Sequence, residues 1–181
     1  MVDAQEPGRY GRPLSTMVAY LDALDANSLG PSQRILAALG PRMLELARDR
    51  AAGAHPYLVT PEHTALAREA LGADALLAPE QAVTLEGGLE EARAFVADYL
   101  RLPNYVNNLR RLGFDDDDVA GTPSDRLVRA LVATGGVEEI ARRVAEHHAA
   151  GADHVTVQVI GAGETLPLDA WRELAPALIG G

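Results

Sequence analysis

Apolar residues along this chain recur at two spacings. One marks amphipathic helices, the other short buried strands. Leu14, Met17, Val18, Leu21 and Leu24 fall at helical spacing behind Pro13, which predicts a first helix. Arg34-Ile-Leu-Ala-Ala38 is a short apolar run, the pattern of a strand buried on both faces. Gly40 permits a tight turn, and Pro41 suits a first helical position because it lacks the N–H that a helix start cannot use. Met43, Leu44, Ala47 and Ala51 then share one helical face. Gly53 ends that helix, and Ala54–Val59 reads as a second strand. Strand, crossover helix and strand form a right-handed parallel unit.

The alternation continues. Thr60-Pro61-Glu62 is a helix start, with a capping threonine, a proline and an acid in the first turn. Leu66, Ala67, Ala70 and Leu71 form that helix's buried face, and Gly72 closes it. A third strand is predicted within Leu76–Leu85, centred on Gln81–Leu85. Glu86-Gly87-Gly88 then leads into a helix with Ala92, Phe95, Val96 and Tyr99 inside. Next comes a region read without strands: a helix over Pro103–Leu112, an acidic loop at Asp115–Asp118, and a helix with Leu127, Val128, Leu131 and Val132 inside. Val137, Ile140, Ala141, Val144 and Ala145 give the cleanest amphipathic stripe. His154–Ile160 (HVTVQVI), rich in β-branched residues, is the fourth strand, and Leu168–Leu178 the closing helix. Such alternation points to an α/β fold with a parallel sheet and covering helices. Residues 1–12 read as a flexible tail and 13–181 as one domain.

Composition narrows the chemistry. The chain is 48% hydrophobic with a formal charge of −10, which argues for a globular protein and against a nucleic-acid partner. No apolar run is long enough for a membrane span, and MVDAQEPGRYGRP has no apolar leader region, so a cytoplasmic protein is expected. Cysteine is absent, which removes thiol nucleophiles and thiolate metal sites. Lysine is absent too, which removes Schiff-base chemistry and the P-loop lysine. None of the serines lies in G-x-S-x-G. With so few nucleophiles, an enzyme of this composition depends on a bound cofactor.

Several residues are candidates for a site. Leu39-Gly40-Pro41 joins a strand's carboxyl end to a helix start, where backbone N–H groups can hold a phosphate or a flavin carbonyl; it also reads as an ordinary tight turn. His55 and Tyr57, two apart in a strand, share a face and can point into one pocket, or pack as a hydrogen-bonded pair. Gly161-Ala-Gly163 lacks the third glycine of the dinucleotide fingerprint and, like Gly87-Gly88, reads as a flexible turn. His147-His148 reads as exposed helix, Asp115–Asp118 as a solvated loop and Glu80-Gln81 as a surface turn. No metal site is expected, because neither HExxH nor EF-hand spacing occurs.

Taken in order, ILAALGPRMLELARDRAAGAHPYLVTPEHT, LLAPEQAVTLE, YLRLPNYVNNLRRLGFDDDDV and AAGADHVTVQV resemble the luciferase-like monooxygenase superfamily. More narrowly they resemble its bacterial branch of oxidoreductases that use the deazaflavin coenzyme F420. GRYGRPLSTMVAYLDAL is similar to the helix before that family's fifth barrel strand. The resemblance implies a TIM (β/α)8 barrel of which this chain carries about four C-terminal βα units, strands five to eight, with a helical insertion before the last. It implies hydride transfer between the cofactor and an unknown small organic substrate. Ala38, Leu39, Gly40 and Pro41 match the turn that touches the deazaflavin and its phosphate region, and His55 and Tyr57 match the substrate side of the mouth. No catalytic residue is assigned. FMN is the alternative cofactor, as in a flavin-dependent monooxygenase. A second alternative is a non-catalytic half-barrel that binds a partner chain or a phosphate ligand. With four strands, both edges are expected to be open and inward side chains such as Leu36, Val83 and Val157 to lose part of their facing layer, which favours a homo-oligomer or pairing with a complementary half-barrel.

Overall fold

The computed structural model describes residues 12–85, 88–161 and 165–179. Nearly all of the expected tail, residues 1–11, therefore lies outside the described residues, as do Glu86-Gly87 and Ala162–Glu164. Helix α1 (Pro13–Ala26) opens on its proline and buries Leu21. A short 3-10 turn, Pro31–Gln33, leads into an extended segment. That segment bridges in parallel from Leu36 to Ala54: the Leu36 N–H donates to Gly53 O at 3.0 Å, and Leu36 O accepts from the His55 N–H at 2.8 Å. Only alternate side chains are buried there. Leu36 and Ala38 face inward, whereas Ile35 is 43% exposed. The expected burial on both faces does not occur, because this is an edge strand whose apolar cover comes from α1 and α2 (Pro41–Arg50).

Strand β1 is short, Gly53–Ala54, so His55 and Tyr57 follow the ladder and do not lie within it. Helix α3 (Pro61–Leu71) is capped by the Thr60 hydroxyl, which accepts from the His63 N–H. Strands β2 (Leu76–Leu77) and β3 (Glu80–Leu85) form one run interrupted at Ala78-Pro79, where proline supplies no N–H. Helices α4 (Leu89–Tyr99), α5 (Pro103–Arg111), α6 (Asp116–Val119) and α7 (Asp125–Leu131) follow. Strand β4 (Val132–Gly135), helix α8 (Val137–Ala149), strand β5 (Thr156–Val159) and helix α9 (Leu168–Ile179) complete the chain.

Every strand pair is parallel. Strand β1 pairs with β2, and β3 lies between β4 and β5. Backbone bonds knit the two sheets together: Glu80 N–H to Pro56 O, Asp153 N–H to Leu77 O and Thr156 N–H to Pro79 O, each at 2.9 Å. The result is mixed α/β, with no closed barrel among the described residues. Strand β4 was not expected. Val128, Leu131 and Val132 keep helical spacing, so periodicity alone extends the helix through a residue whose backbone pairs with Ala82. The Asp115–Asp118 stretch is also not a solvated loop. Asp115 caps α6, and the buried Asp118 carboxylate accepts from the Ser124 hydroxyl at 2.6 Å and pairs with Arg126.

Strand β3 separates two helical layers. On one face Val83 packs with Ile140 of α8 and Leu174 of α9. On the other, Ala82 packs with Val96 of α4 and Leu127 and Val128 of α7. A fully buried valine such as Val83 stabilises the fold by about 1.5–3 kcal/mol. Leu36, Val83 and Val157 therefore do not point into a barrel interior. Leu36 packs with Leu21 and Leu44, and Val157 with Leu178. The period of two holds, but in the opposite phase.

The helix-facing layer also encloses a polar bridge. His147 is completely buried, contrary to the exposure expected of His147-His148. Its Nε2–H donates to Gln81 Oε1 at 2.9 Å, and its Nδ1 accepts from the Thr64 hydroxyl at 2.8 Å. This tautomer follows from Gln81, whose amide group already donates to the Ala82 and Leu131 carbonyls. One imidazole thus joins α3, α8 and β3. Burial, then the nearby Arg143 charge, hold its pKa down at about 4. Glu80 and Gln81 likewise are not a surface turn; both are buried in β3.

Candidate functional site

Parallel pairing brings the carboxyl ends of the strands to one rim, the place where ligands bind in open α/β sheets. The Leu39–Pro41 turn, Tyr57 and Ile160 all follow strands at that rim. Gly40 is the N-cap of α2, with φ −88° and ψ 161°, a conformation any residue adopts. The first turn of α2 contains no acid and does contain Arg42. A cation beside the positive end of a helix dipole is unfavourable until an anion joins it.

Helix α5 closes over this turn. A Cβ placed on Gly40 would stand 3.8 Å from a guanidinium nitrogen of Arg111. Arg111 has no ion-pair partner among the described residues. A cavity of about 280 Å³ lies between α2, α3 and α5, with Leu39, Pro41, His63, Asn108 and Arg111 in its wall. His63, 3% exposed, donates from Nε2 to the Leu39 carbonyl at 2.8 Å, and its Nδ1 has no partner. Burial lowers its pKa. Leu39, Pro41, a guanidinium without an ion-pair partner among the described residues and the imidazole of His63 thus line one cavity. Ala38 is buried just before the turn and packs in the apolar cluster below it. A wider depression of about 470 Å³ at the start of α8 is lined by Glu138, Glu139 and Arg142. Glu139 and Arg142 already pair with each other there, and no orphaned buried group adjoins them.

The substrate-side candidates have different neighbours. The His55 Nδ1–H donates to the Ala78 carbonyl at 2.5 Å. Tyr57 donates to Gln158 Oε1 at 2.6 Å and accepts from the Tyr99 hydroxyl at 3.0 Å. Its ring lies 5.3 Å from that of Tyr99, which in turn meets Tyr105 edge-on at 5.2 Å. Burial and the Tyr99 hydroxyl push the Tyr57 pKa far up, and burial pushes Tyr105 up to about 12. Helix α5 therefore spans the whole site: Tyr105 belongs to the aromatic group and Arg111 to the turn. Tyr99, Tyr105, Arg111, His63 and Gln158 are not among the sequence candidates, and Glu80 stands among them only as part of a surface turn. The helices read as a plain insertion gave no spacing signal that they fold back over the rim.

No family model matches the chain, and no curated protein matches it. Among solved structures it is similar to an F420-dependent secondary alcohol dehydrogenase in complex with an F420-acetone adduct, at 13% identity and a TM-score of 0.48. That match covers 77% of this chain and 46% of the other, so the chain spans about half the length of that protein. Among the described residues no group of three or more His, Asp or Glu is placed to hold a metal ion. No described helix is long and apolar enough to cross a membrane.

Proposed function

We propose that the chain is the strand-five-to-eight portion of a luciferase-like (β/α) barrel, residues 13–181, and binds coenzyme F420 at the rim. The observation that carries the binding reading is the Leu39–Pro41 turn. The acid-free first turn of α2 and an Arg111 without an ion-pair partner among the described residues gather there, as an anionic group requires, and the His63 Nδ1 beside them is an acceptor for a donor of the same ligand. Leu39, Gly40 and Pro41 lie against the cofactor and its phosphate region, and Ala38 supports the turn from the apolar cluster below it. Gly40 keeps a side chain out of the gap beneath Arg111. The bound deazaflavin supplies hydride chemistry toward a small organic substrate. His55 and Tyr57 face that substrate, Tyr57 held by Gln158 and Tyr99.

Titration of purified chain with F420, followed by fluorescence, is expected to saturate, and titration with FMN is not. Arg111→Ala should weaken F420 binding about 10-fold or more, the worth of one charge-assisted hydrogen bond. Gly40→Val folds, because its backbone angles suit valine, but should lose binding. Unchanged affinity in both variants would remove the turn from the site.

A second reading, a half-barrel completed by a partner, is favoured by the open edge. Ile35 is exposed, and the Ile35 and Ala37 backbone groups point away from the β1 side, which Arg34 and Leu36 bond. Sedimentation velocity should then show a dimer or larger species. A compact monomer at high concentration would count against pairing.

A further inference from the structure

The face that Tyr57 shares holds a carboxyl group to which the cofactor reading gives no task. Glu80 lies within β3 and is 3% exposed. Its Oε2 accepts a single bond, from the Leu58 N–H at 3.4 Å, and its Oε1 accepts none. Among the described residues no arginine pairs with it. The titratable groups whose electrostatics it touches are Tyr57, before Leu58, and Tyr105 on α5. Tyr99 on α4 joins them through Tyr57, and His55 is turned to the Ala78 carbonyl. Leu58 itself is buried with φ 54°, a left-handed conformation that leucine rarely adopts. Backbone held in that state clusters at functional sites, and here it directs an N–H at an otherwise unpartnered acid.

We propose that Glu80 is the proton-carrying residue of this face: a buried carboxylic acid that gives its proton to, and recovers it from, the ligand beside Tyr57. The proposal rests on the F420 reading, whose small organic substrate would present a polarised C=O or C=N double bond, and adds to it the group that moves the proton. A carboxylic acid in an apolar site stays un-ionised near neutrality, as burial does to Glu80, which is raised to about 7. In the reducing direction the double-bond carbon would gain the hydride that bound F420 supplies. The π bond breaks, and its electron pair moves to the oxygen or nitrogen. Glu80 gives that atom a proton and is left as carboxylate. It is reprotonated from water, which would take up the proton that F420 releases on oxidation. One hydride and one proton are thus transferred, and the two-electron oxidation of the cofactor matches the reduction of the substrate.

The test is isotope-edited infrared spectroscopy of the full chain labelled with ¹³C-carboxyl glutamate, across the neutral pH range, with F420 binding measured separately by fluorescence. One protonated carboxyl band is expected to titrate well above the ordinary glutamate value of about 4.3. It should be missing in Glu80→Gln, which still binds F420, and should shift when F420 saturates the protein. If F420 binds and the band does not move, the proton role fails while the binding site stands. If no glutamate titrates high, Glu80 carries no proton. If F420 does not bind at all, both readings fall.

Discussion

Gly53→Ala lowers stability by about 3 kcal/mol, the upper range for forcing a methyl group into filled space. An added Cβ would stand 1.9 Å from the Leu76 carbonyl oxygen and 2.6 Å from its carbon. Both are backbone atoms of the neighbouring parallel strand, so no side chain can swing away. The β1–β2 ladder must open or twist, and with it the link from the Leu36 edge to the rest of the sheet. The melting temperature should fall by about 6–12 °C for a chain of this size. Gly30→Ala is the matched control. Gly30 has nothing within 4 Å of its added Cβ and is expected to change stability by less than about 0.5 kcal/mol. Equal shifts for the two variants, read by thermal or urea unfolding, would mean the strands do not approach this closely.

Glu80 and His147, on opposite faces of the sheet, make opposite contributions to the pH dependence of stability. Burial raises Glu80 from 4.5 to about 7 and lowers His147 from 6.5 to about 4. The Glu80 contribution is full below pH 4.5 and is lost as pH rises toward 7, because only the unfolded chain releases the proton. The His147 contribution is full above pH 6.5 and is lost as pH falls toward 4, because only the unfolded chain takes one up. Between pH 4.5 and 6.5 unfolding releases one proton and binds one, so for these two groups stability is flat. Removing either group exposes the other. Glu80→Gln should lose about 2–3 kcal/mol as pH falls across that window, and His147→Gln about the same as pH rises. Urea unfolding at three pH values reads both slopes. A flat profile in either variant would contradict the burial of the remaining group.

Much of the scaffold was legible because its signals are local. Pro41, Pro61 and Pro103 mark helix starts, and HVTVQVI and Gln81–Leu85 mark strands, whatever surrounds them. The misreadings concern partners distant in sequence. His147 is polar on an amphipathic helix and reads as exposed until Gln81 and Thr64, 66 and 83 residues away, are known to meet it. Glu80-Gln81 reads as a turn because two polar residues beside a proline seldom enter a buried strand. They do so here because Gln81 has three hydrogen-bond partners, while Glu80 has one and an orphan oxygen. Val83 lies in the helix-facing layer and not in the inward one because alternation fixes a period and not which face is covered. The turn at Leu39–Pro41 was legible as a place. That Arg111 would cross it was not, since no local pattern ties residue 111 to residue 40.

The most direct measurement of the proposed site is amide hydrogen exchange with and without saturating F420. Slower exchange is predicted at residues 42–44 on α2, at Tyr57 and Leu58, and along 105–112 on α5, with α8 and α9 unchanged. Protection confined to α8 and α9, or none anywhere, would contradict a cofactor held at the Leu39–Pro41 rim.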